Sequence, residues 1–205
     1  MFLIKAKEHQ TMLFTTTRTL IAGILLSTTL PFVTLPAWAQ DDSDTALKTQ
    51  SRALAQDLQQ QLSGKLKAAM QAQGPVHAIE VCHLEAPQIA SRLSREQEVT
   101  VGRTALRVRN PNNQPTVAQA EVMKAMAAAL ADDASVVPEH VITQADGSQA
   151  YMRAIVMQPQ CLACHGSSIA APVQQAIQAK YPEDQATGFE VGDLRGAFLI
   201  EWLSK

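Results

Sequence analysis

Two cysteines and a histidine lie close together at Cys161, Cys164 and His165, in the order Cys-Leu-Ala-Cys-His. Thiols three positions apart can each form a thioether with one vinyl group of a haem, and the adjacent imidazole can reach the iron. A bare Cys-x-x-Cys pair can instead be a thiol redox centre, but such a pair usually lies beside a βαβ unit and needs no histidine. The motif therefore predicts one covalently attached c-type haem with His165 as an iron ligand.

Opposite His165, the iron would need a second axial ligand, and Cys82 is the leading candidate. The chain has three cysteines, so the haem motif leaves one thiol over, which an exported protein has to bury or bind. Ile79, Cys82 and Ala86 fall on one apolar face of a predicted helix, which turns the sulfur inward. The alternative is a buried, inert Cys82 with another axial ligand.

Histidines and methionines are the other side chains that can bind haem iron. For these we favour ordinary packing or solvation over ligation. His83 lies about 100° around the helix from Cys82, so we expect it at the surface or behind the ligand. The remaining members of this set are His77, His140, Met70, Met123, Met126, Met152 and Met157.

The N-terminal segment predicts export. Three basic residues precede an apolar run over residues 20–30, and the small residues Ala37 and Ala39 stand at the positions that signal peptidase reads. We therefore expect residues 1–39 to be a signal peptide and the mature protein to be periplasmic. Retention of the segment as a membrane anchor is the alternative, although the run is shorter than the ~20 residues a bilayer span prefers.

The charge balance restricts the partners. The chain has 17 Lys and Arg against 19 Asp and Glu, a net charge of −2. Nucleic acids and acidic lipid surfaces require clustered basic side chains, so neither is an expected partner, and no membrane contact is expected after signal cleavage. The expected partner is a redox or signalling protein.

The mature chain is predicted to begin with an amphipathic helix over residues 40–74. Leu54, Leu58 and Leu62 recur at four-residue spacing on an otherwise polar surface, and Gly74-Pro75 ends the helix. A second helix should run from Val76 to about Leu93 and break or restart at Pro87. The first helix suits either packing within the chain or pairing in a homodimer, and its pattern does not separate the two.

The pattern then changes to the alternation of strands. Residues 99–108 predict a strand with Gly102 as a bulge and Arg103, Arg107 and Arg109 on one side. These arginines could pair with haem propionates or form a solvated strand face.

Further along the chain, local signals predict a capped helix, a hairpin and a closing strand. Thr116 and Gln119 form a capping box before an Ala-rich helix. A hairpin over residues 141–157, a helix over 172–180 and a last strand over 196–202 follow. The order of elements predicts an α+β fold with antiparallel pairs.

Several motifs, taken in order, resemble an exported bacterial and cyanobacterial family of monohaem c-type domains. The resemblance is carried by Ala78-Ile-Glu-Val-Cys82, Val101-Gly-Arg-Thr104 with Arg107-Val-Arg-Asn-Pro111, Cys161-Leu-Ala-Cys-His-Gly166, Tyr181-Pro182 and Gly188-Phe-Glu-Val-Gly-Asp-Leu-Arg-Gly196. It implies a PAS-like domain over residues 75–205, with a central antiparallel sheet flanked by helices. It also implies Cys82 as the thiolate ligand opposite His165.

The same resemblance favours Arg103 as a contact of the haem propionates, with Arg107 as a second candidate, because the Val-Gly-Arg-Thr motif includes Arg103. Family members occur alone and as sensory modules of membrane signalling proteins. By analogy of fold, we expect redox or gas sensing through ligand exchange at the iron. A low-potential electron carrier is the alternative and a peroxidase-like enzyme a weaker one, so no catalytic residues are expected.

Overall fold

The computed structural model describes residues 38–144 and 146–203, and their side chains from residue 44 onward. The predicted signal segment therefore falls almost entirely outside the described residues. The helices and strands are α1 (Trp38–Gln97), β1 (Thr100–Thr104), α2 (Val117–Asp132), β2 (Glu139–Thr143), β3 (Gln149–Val156), α3 (Leu162–His165), α4 (Ala171–Lys180) and β4 (Leu194–Trp202). No helix among the described residues combines the length and apolar character that crossing a membrane requires.

Helix α1 is interrupted at Gly74, where the sequence predicted the end of the first helix. Gly74 has φ 80° and ψ −173°, a conformation that glycine adopts without the steric cost of a Cβ. Pro75 follows at a helix start, where a missing N–H costs least. The ion pair between Lys65 and Glu85, 2.9 Å from Nζ to Oε2, joins the two arms, 38–73 and 75–97.

The predicted break at Pro87 is wrong, because the second arm continues through it to Gln97. A proline inside a helix costs about 3 kcal/mol through one lost hydrogen bond and a ring clash. Ile89 and Leu93, which follow Pro87, are buried against the sheet. Their burial offsets that cost and holds the helical backbone on both sides of the proline.

The four strands form one antiparallel sheet in the order β1-β4-β3-β2. The α+β fold with an antiparallel sheet and flanking helices is therefore confirmed. The predicted hairpin is β2 and β3, and the predicted closing strand is β4, which lies between β1 and β3. The capping box is present, with Thr116 and Gln119 bonded reciprocally at the start of α2.

Helices cover both faces of the sheet. Both arms of α1 contribute to one core, through Leu54, Leu58, Ile89 and Leu93 against Val101, Tyr151, Phe198 and Ile200. Helix α2 covers the other face, with Met123, Met126 and Leu130 against Met152, Ala154 and Ala197. The first arm therefore shares its core with the sheet, although the sequence placed residues 40–74 in a separate segment.

Strand β1 ends at Thr104, so the predicted strand over residues 99–108 is too long. The predicted bulge at Gly102 is also wrong, since Gly102 pairs in regular register with Leu199. Beyond Thr104 the chain leaves the sheet, but Ala105 and Val108 remain buried. Their burial explains why an alternating apolar pattern continues where no strand does.

Glu139 on β2 binds side chains of both α1 and β3. Its Oε2 accepts hydrogen bonds from the Tyr151 hydroxyl at 2.7 Å and from Arg52 Nε at 3.1 Å. Arg153 lies 3.6 Å away and Lys48 3.4 Å away. The hydrogen bond from Arg52 contributes most to lowering the pKa of Glu139 from 4.5 to about 2.

Replacing Glu139 with Gln should destabilise the fold by about 1.5 to 3 kcal/mol at neutral pH, the range for hydrogen bonds to charged groups. Because folding lowers this pKa, the carboxylate stabilises the fold above pH 4.5 and loses that effect as the pH falls towards 2. Urea unfolding of both proteins between pH 7 and pH 3 should show their difference shrinking on the acidic side. Glu121→Gln, which breaks an exposed pair with Lys124, is the control and should change little. Equal losses of unfolding free energy in Glu139→Gln and Glu121→Gln would contradict the stabilising role given to Glu139.

Candidate functional site

The Cys-x-x-Cys-His segment forms a single helical turn directly after β3. A short 3-10 turn over Pro159–Cys161 leads into α3, which ends at His165. Cys161 and Cys164 are three residues apart in this helical stretch, so both thiols lie on one side of it. Both are half-buried and neither is in a disulfide. The two thiols are therefore free to react with one planar group lying along the turn.

Gly166 lets the chain leave this turn. A Cβ at this position would lie 2.8 Å from the carbonyl oxygen of Leu162. The following backbone pairs with a later loop, since Phe189 N donates to His165 O and Gly188 N donates to Gly166 O, both at 3.0 Å. A glycine here thus allows the haem motif to pack directly against residues 186–189.

His165 is held in the tautomer that binds metals. Its Nδ1 lies 2.7 Å from the carbonyl oxygen of Ala186, an acceptor, so Nδ1 carries the proton and Nε2 keeps its lone pair. Burial lowers the pKa of His165 to about 2, with further contributions from Arg195 and Arg109. The imidazole is therefore neutral across the physiological pH range.

Arg109 binds both the Cys-x-x-Cys-His turn and the loop that contains Ala186. Its guanidinium forms an ion pair with Asp184, 3.1 Å from Nε to Oδ1, and donates to the Cys164 carbonyl at 2.6 Å. It also donates to the Ala186 carbonyl, the acceptor of His165, at 3.2 Å. Asp184 and Arg109 are both largely buried and satisfy each other. Arg109 thus has a structural role, whereas the sequence analysis considered it as a partner of haem propionates or part of a solvated strand face.

Cys82 is half-buried on the second arm of α1 and lies in the same region as the haem motif. One turn before it, Ile79 packs with Tyr181, Val173 and Ile177, in a cluster that Cys164 also touches. Burial raises the pKa of Cys82, and the charges of Arg103 and Arg109 oppose that shift. The structure therefore brings Cys82, Cys164, His165 and Arg103 together.

The other candidate ligands are placed by packing or lie elsewhere. His83 is half-buried and packs edge-on against Tyr181, with ring centroids 5.1 Å apart. His140 is exposed on β2, at the far edge of the sheet. Met157 is buried beneath Cys161, beside Phe189. The core on the α2 face holds Met123, Met126 and Met152.

Three arginines, Arg103, Arg107 and Arg195, lie near Cys82, Phe189 and His165 respectively. Arg103 has an exposed side chain, and the protein around its guanidinium lowers its pKa, an effect that Cys82 and Tyr181 oppose. Arg107 stacks over Phe189, 3.6 Å from the ring centroid, and donates to the Thr187 carbonyl. Within the described residues, neither Arg103 nor Arg107 forms an ion pair.

Arg195 is the functional residue that sequence reasoning missed. Its Nε lies 3.5 Å from His165 Nε2, and burial, with the charges of Arg109 and Arg103, lowers its pKa to about 9. Arg195 belongs to the 188–196 motif, but nothing in its spacing linked it to His165. Asp184, the acid whose charge acts on Arg195, is already bound to Arg109, so the arginines around His165 carry an excess of positive charge that suits an anionic ligand.

Comparison with known proteins identifies the family of this chain. A family model described as Tll0287-like matches residues 39–202. The chain belongs to the Tll0287-like family. Among solved structures, it is similar to the crystal structure of the cyanobacterial heme-protein Tll0287, with 26% sequence identity and a TM-score of 0.55. That similarity covers 83% of this chain and 98% of the other. No curated protein sequence matches this Tll0287-like chain significantly.

Replacing Gly166 with Ala should destabilise this Tll0287-like domain by about 1 to 3 kcal/mol, as added atoms do in tightly packed sites. The new methyl group would press on the Leu162 carbonyl and displace the backbone that pairs with residues 188 and 189. Gly64→Ala is the matched control, because it has no atom within 4 Å and lies in α1. The control should be neutral or stabilising by about 0.5 to 1 kcal/mol. Equal unfolding midpoints for the two variants would contradict the role given to Gly166.

Proposed function

We propose that this protein binds one haem c, with Cys161 and Cys164 as the thioether residues and His165 and Cys82 as the axial ligands. The observation that carries the proposal is the state of His165, whose Nδ1 donates to Ala186 O while Nε2 stays unprotonated. The similarity to a protein described as a heme-protein supports it. When bound, haem would supply an iron centre that changes oxidation state and can bind small gases.

The residues at the site fit this group. Two free thiols lie on one turn for the vinyl groups, and a third thiol and a neutral imidazole can serve as axial ligands. A haem also carries two propionates, which need cationic partners. Arg103, Arg107 and Arg195 lack ion pairs within the described part of the chain, and they supply guanidinium groups of the kind that bind carboxylates well.

The two axial ligands are restrained very differently. His165 is fixed by its own side-chain hydrogen bond, by the backbone bridge between Gly166 and Phe189, and by the Arg109 clamp. Cys82 is positioned by the packing of its helix, through Ile79 and Ala86. A ligand held by apolar contacts is the easier one to exchange.

This asymmetry supports a sensory role, in which Cys82 would be the ligand exchanged for a gas when a bound haem is reduced. An anionic sulfur ligand favours ferric over ferrous iron, so reduction would weaken the hold of Cys82. The protein would act after export to the periplasm, through a redox or signalling partner. An enzyme of the peroxidase class is disfavoured because Cys82, as a ligand, would leave no open position on the iron of the resting protein.

A low-potential electron carrier is the second candidate. It is favoured by the burial of Ile89 and Leu93 against the sheet, because that packing resists movement of the arm that carries Cys82. A carrier should keep Cys82 bound in both oxidation states. The two functions therefore differ in what the thiol does when the iron is reduced.

Expression of the full chain in a host that attaches c-type haem should give a coloured protein that keeps its haem through SDS denaturation. The double variant Cys161→Ser/Cys164→Ser should lose this covalent haem because both thioethers are gone. Cys82→Ser is the matched control for a single thiol removed from the same region. It should keep the covalent haem but show a changed visible spectrum, since the axial sulfur is lost.

Two outcomes would contradict the proposal. A colourless wild-type protein from a competent host would refute haem binding altogether. A Cys82→Ser spectrum identical to that of the wild type would refute ligation by Cys82 and leave the attachment at Cys161 and Cys164 intact.

A further inference from the structure

Cys82 lies in a short helical segment, 75–86, whose two ends are weak points of α1. Gly74, directly before the segment, has the non-helical dihedral angles φ 80° and ψ −173°. Pro87, directly after it, has no N–H to donate to the carbonyl of His83, so one helical hydrogen bond is missing there. Sharp bends in helices occur mostly at such interruptions. The segment that carries the thiol can therefore change its angle to the rest of α1 at either end.

The core against the sheet does not include this segment. Ile89 and Leu93, which follow it, are buried in that core. Among the apolar clusters of the described residues, those that contain strand residues contain none from 75–86. The ion pair between Lys65 and Glu85 joins the segment to the first arm, but these side chains are 56% and 37% exposed, and exposed pairs contribute little. The apolar packing of the segment therefore lies elsewhere.

Helix α4 supplies that packing. Ile79 forms one apolar cluster with Val173 and Ile177 of α4, and the three residues are 5%, 3% and 3% exposed. At the end of α4, Lys180 donates from Nζ to Oε1 of Glu80 at 3.3 Å. Ile79 and Glu80 lie less than one helical turn before Cys82. Helix α4 thus contacts the segment close to its thiol.

The same helix is joined to the Cys-x-x-Cys-His turn. It begins at Ala171, six residues after His165. Cys164 and Ile169 pack against the cluster that α4 forms with Ile79. The cluster therefore connects the turn that carries the motif thiols to the segment that carries Cys82.

We propose that α4 sets the position of Cys82 relative to the Cys-x-x-Cys-His turn, with Ile177 as a positioning residue that acts through Ile79. Ile79 and Cys82 are three residues apart and are neighbours on the helix surface. Loss of the packing around Ile79 would let residues 75–86 move at the weak points and would make the thiol easier to displace from iron. This inference rests on the proposed function for the ligation of iron by Cys82, whereas the restraint by α4 does not require haem.

A haem-free chain tests the restraint alone. Cys161→Ser/Cys164→Ser leaves Cys82 as the only thiol of the protein, and its rate of labelling by a soluble aromatic disulfide reports how often residues 75–86 open. Adding Ile177→Ala should raise that rate about tenfold or more, because the packing lost at a buried isoleucine is worth at least that factor in a local opening equilibrium. Ile177→Val, which keeps most of the packing, should give a smaller rise.

Ile89→Ala is the matched control for these labelling rates. It removes the same atoms from a buried isoleucine of α1 itself, but on the sheet side of Pro87. It should lower the thermal unfolding midpoint and leave the labelling rate of the folded protein nearly unchanged. Thermal unfolding shows that each variant is folded at the labelling temperature. An unchanged rate in both Ile177 variants, or equal rises in Ile177→Ala and Ile89→Ala, would overturn the inference.

The oxidised holoprotein tests the consequence for the iron. Imidazole added to it competes with the axial sulfur, and Ile177→Ala should lower the concentration that displaces the sulfur about tenfold, by the same loss of packing. In a double-mutant cycle with Cys82→Ala, Ile177→Ala should no longer change imidazole binding. An equal change with and without Cys82 would overturn the inference. A wild-type protein without haem or sulfur ligation would be a failure of the proposed function, and the labelling rates would still decide whether α4 restrains Cys82.

Discussion

The hydrogen bond between His165 Nδ1 and the Ala186 carbonyl is the constraint on which the site depends. It selects the tautomer of the imidazole and leaves Nε2 unprotonated on the side of Arg195. The loop that supplies Ala186 is held to the motif twice, through the Arg109–Asp184 pair and through the backbone bridge at Gly166 and Phe189. The remainder of the fold is a sheet between two helical layers. It positions the Cys-x-x-Cys-His turn and the loop of Ala186, and it brings the second arm of α1, which carries Cys82, against them.

Charge is the second property that defines this site. One buried carboxylate, Asp184, is already matched to one guanidinium, while Arg103, Arg107 and Arg195 line the same region without ion pairs among the described residues. Like charges close together repel one another unless a counter-charge is supplied. A ligand with two carboxylates and a thiolate donor alongside it would balance this excess. The electrostatics and the donor atoms therefore indicate the same class of ligand.

Features set by local sequence could be predicted, and those set by tertiary contacts could not. The haem motif, the interruption at Gly74 and the capping box at Thr116 each follow from residues that are neighbours in the chain. Pro87 was misjudged because the sheet stabilises the helix around it, and β1 was predicted too long because Val108 is buried outside the sheet. Arg195 was missed since its proximity to His165 exists only after residues thirty positions apart are brought together.

The most direct test of the sensory role is a redox titration of the purified holoprotein, followed optically with and without CO. Exchange of Cys82 predicts an oxidised form with sulfur-ligated, six-coordinate haem and a reduced form that binds CO, with a midpoint potential that CO raises. A reduced form that stays six-coordinate and leaves the titration unchanged under CO would contradict ligand exchange and identify an electron carrier.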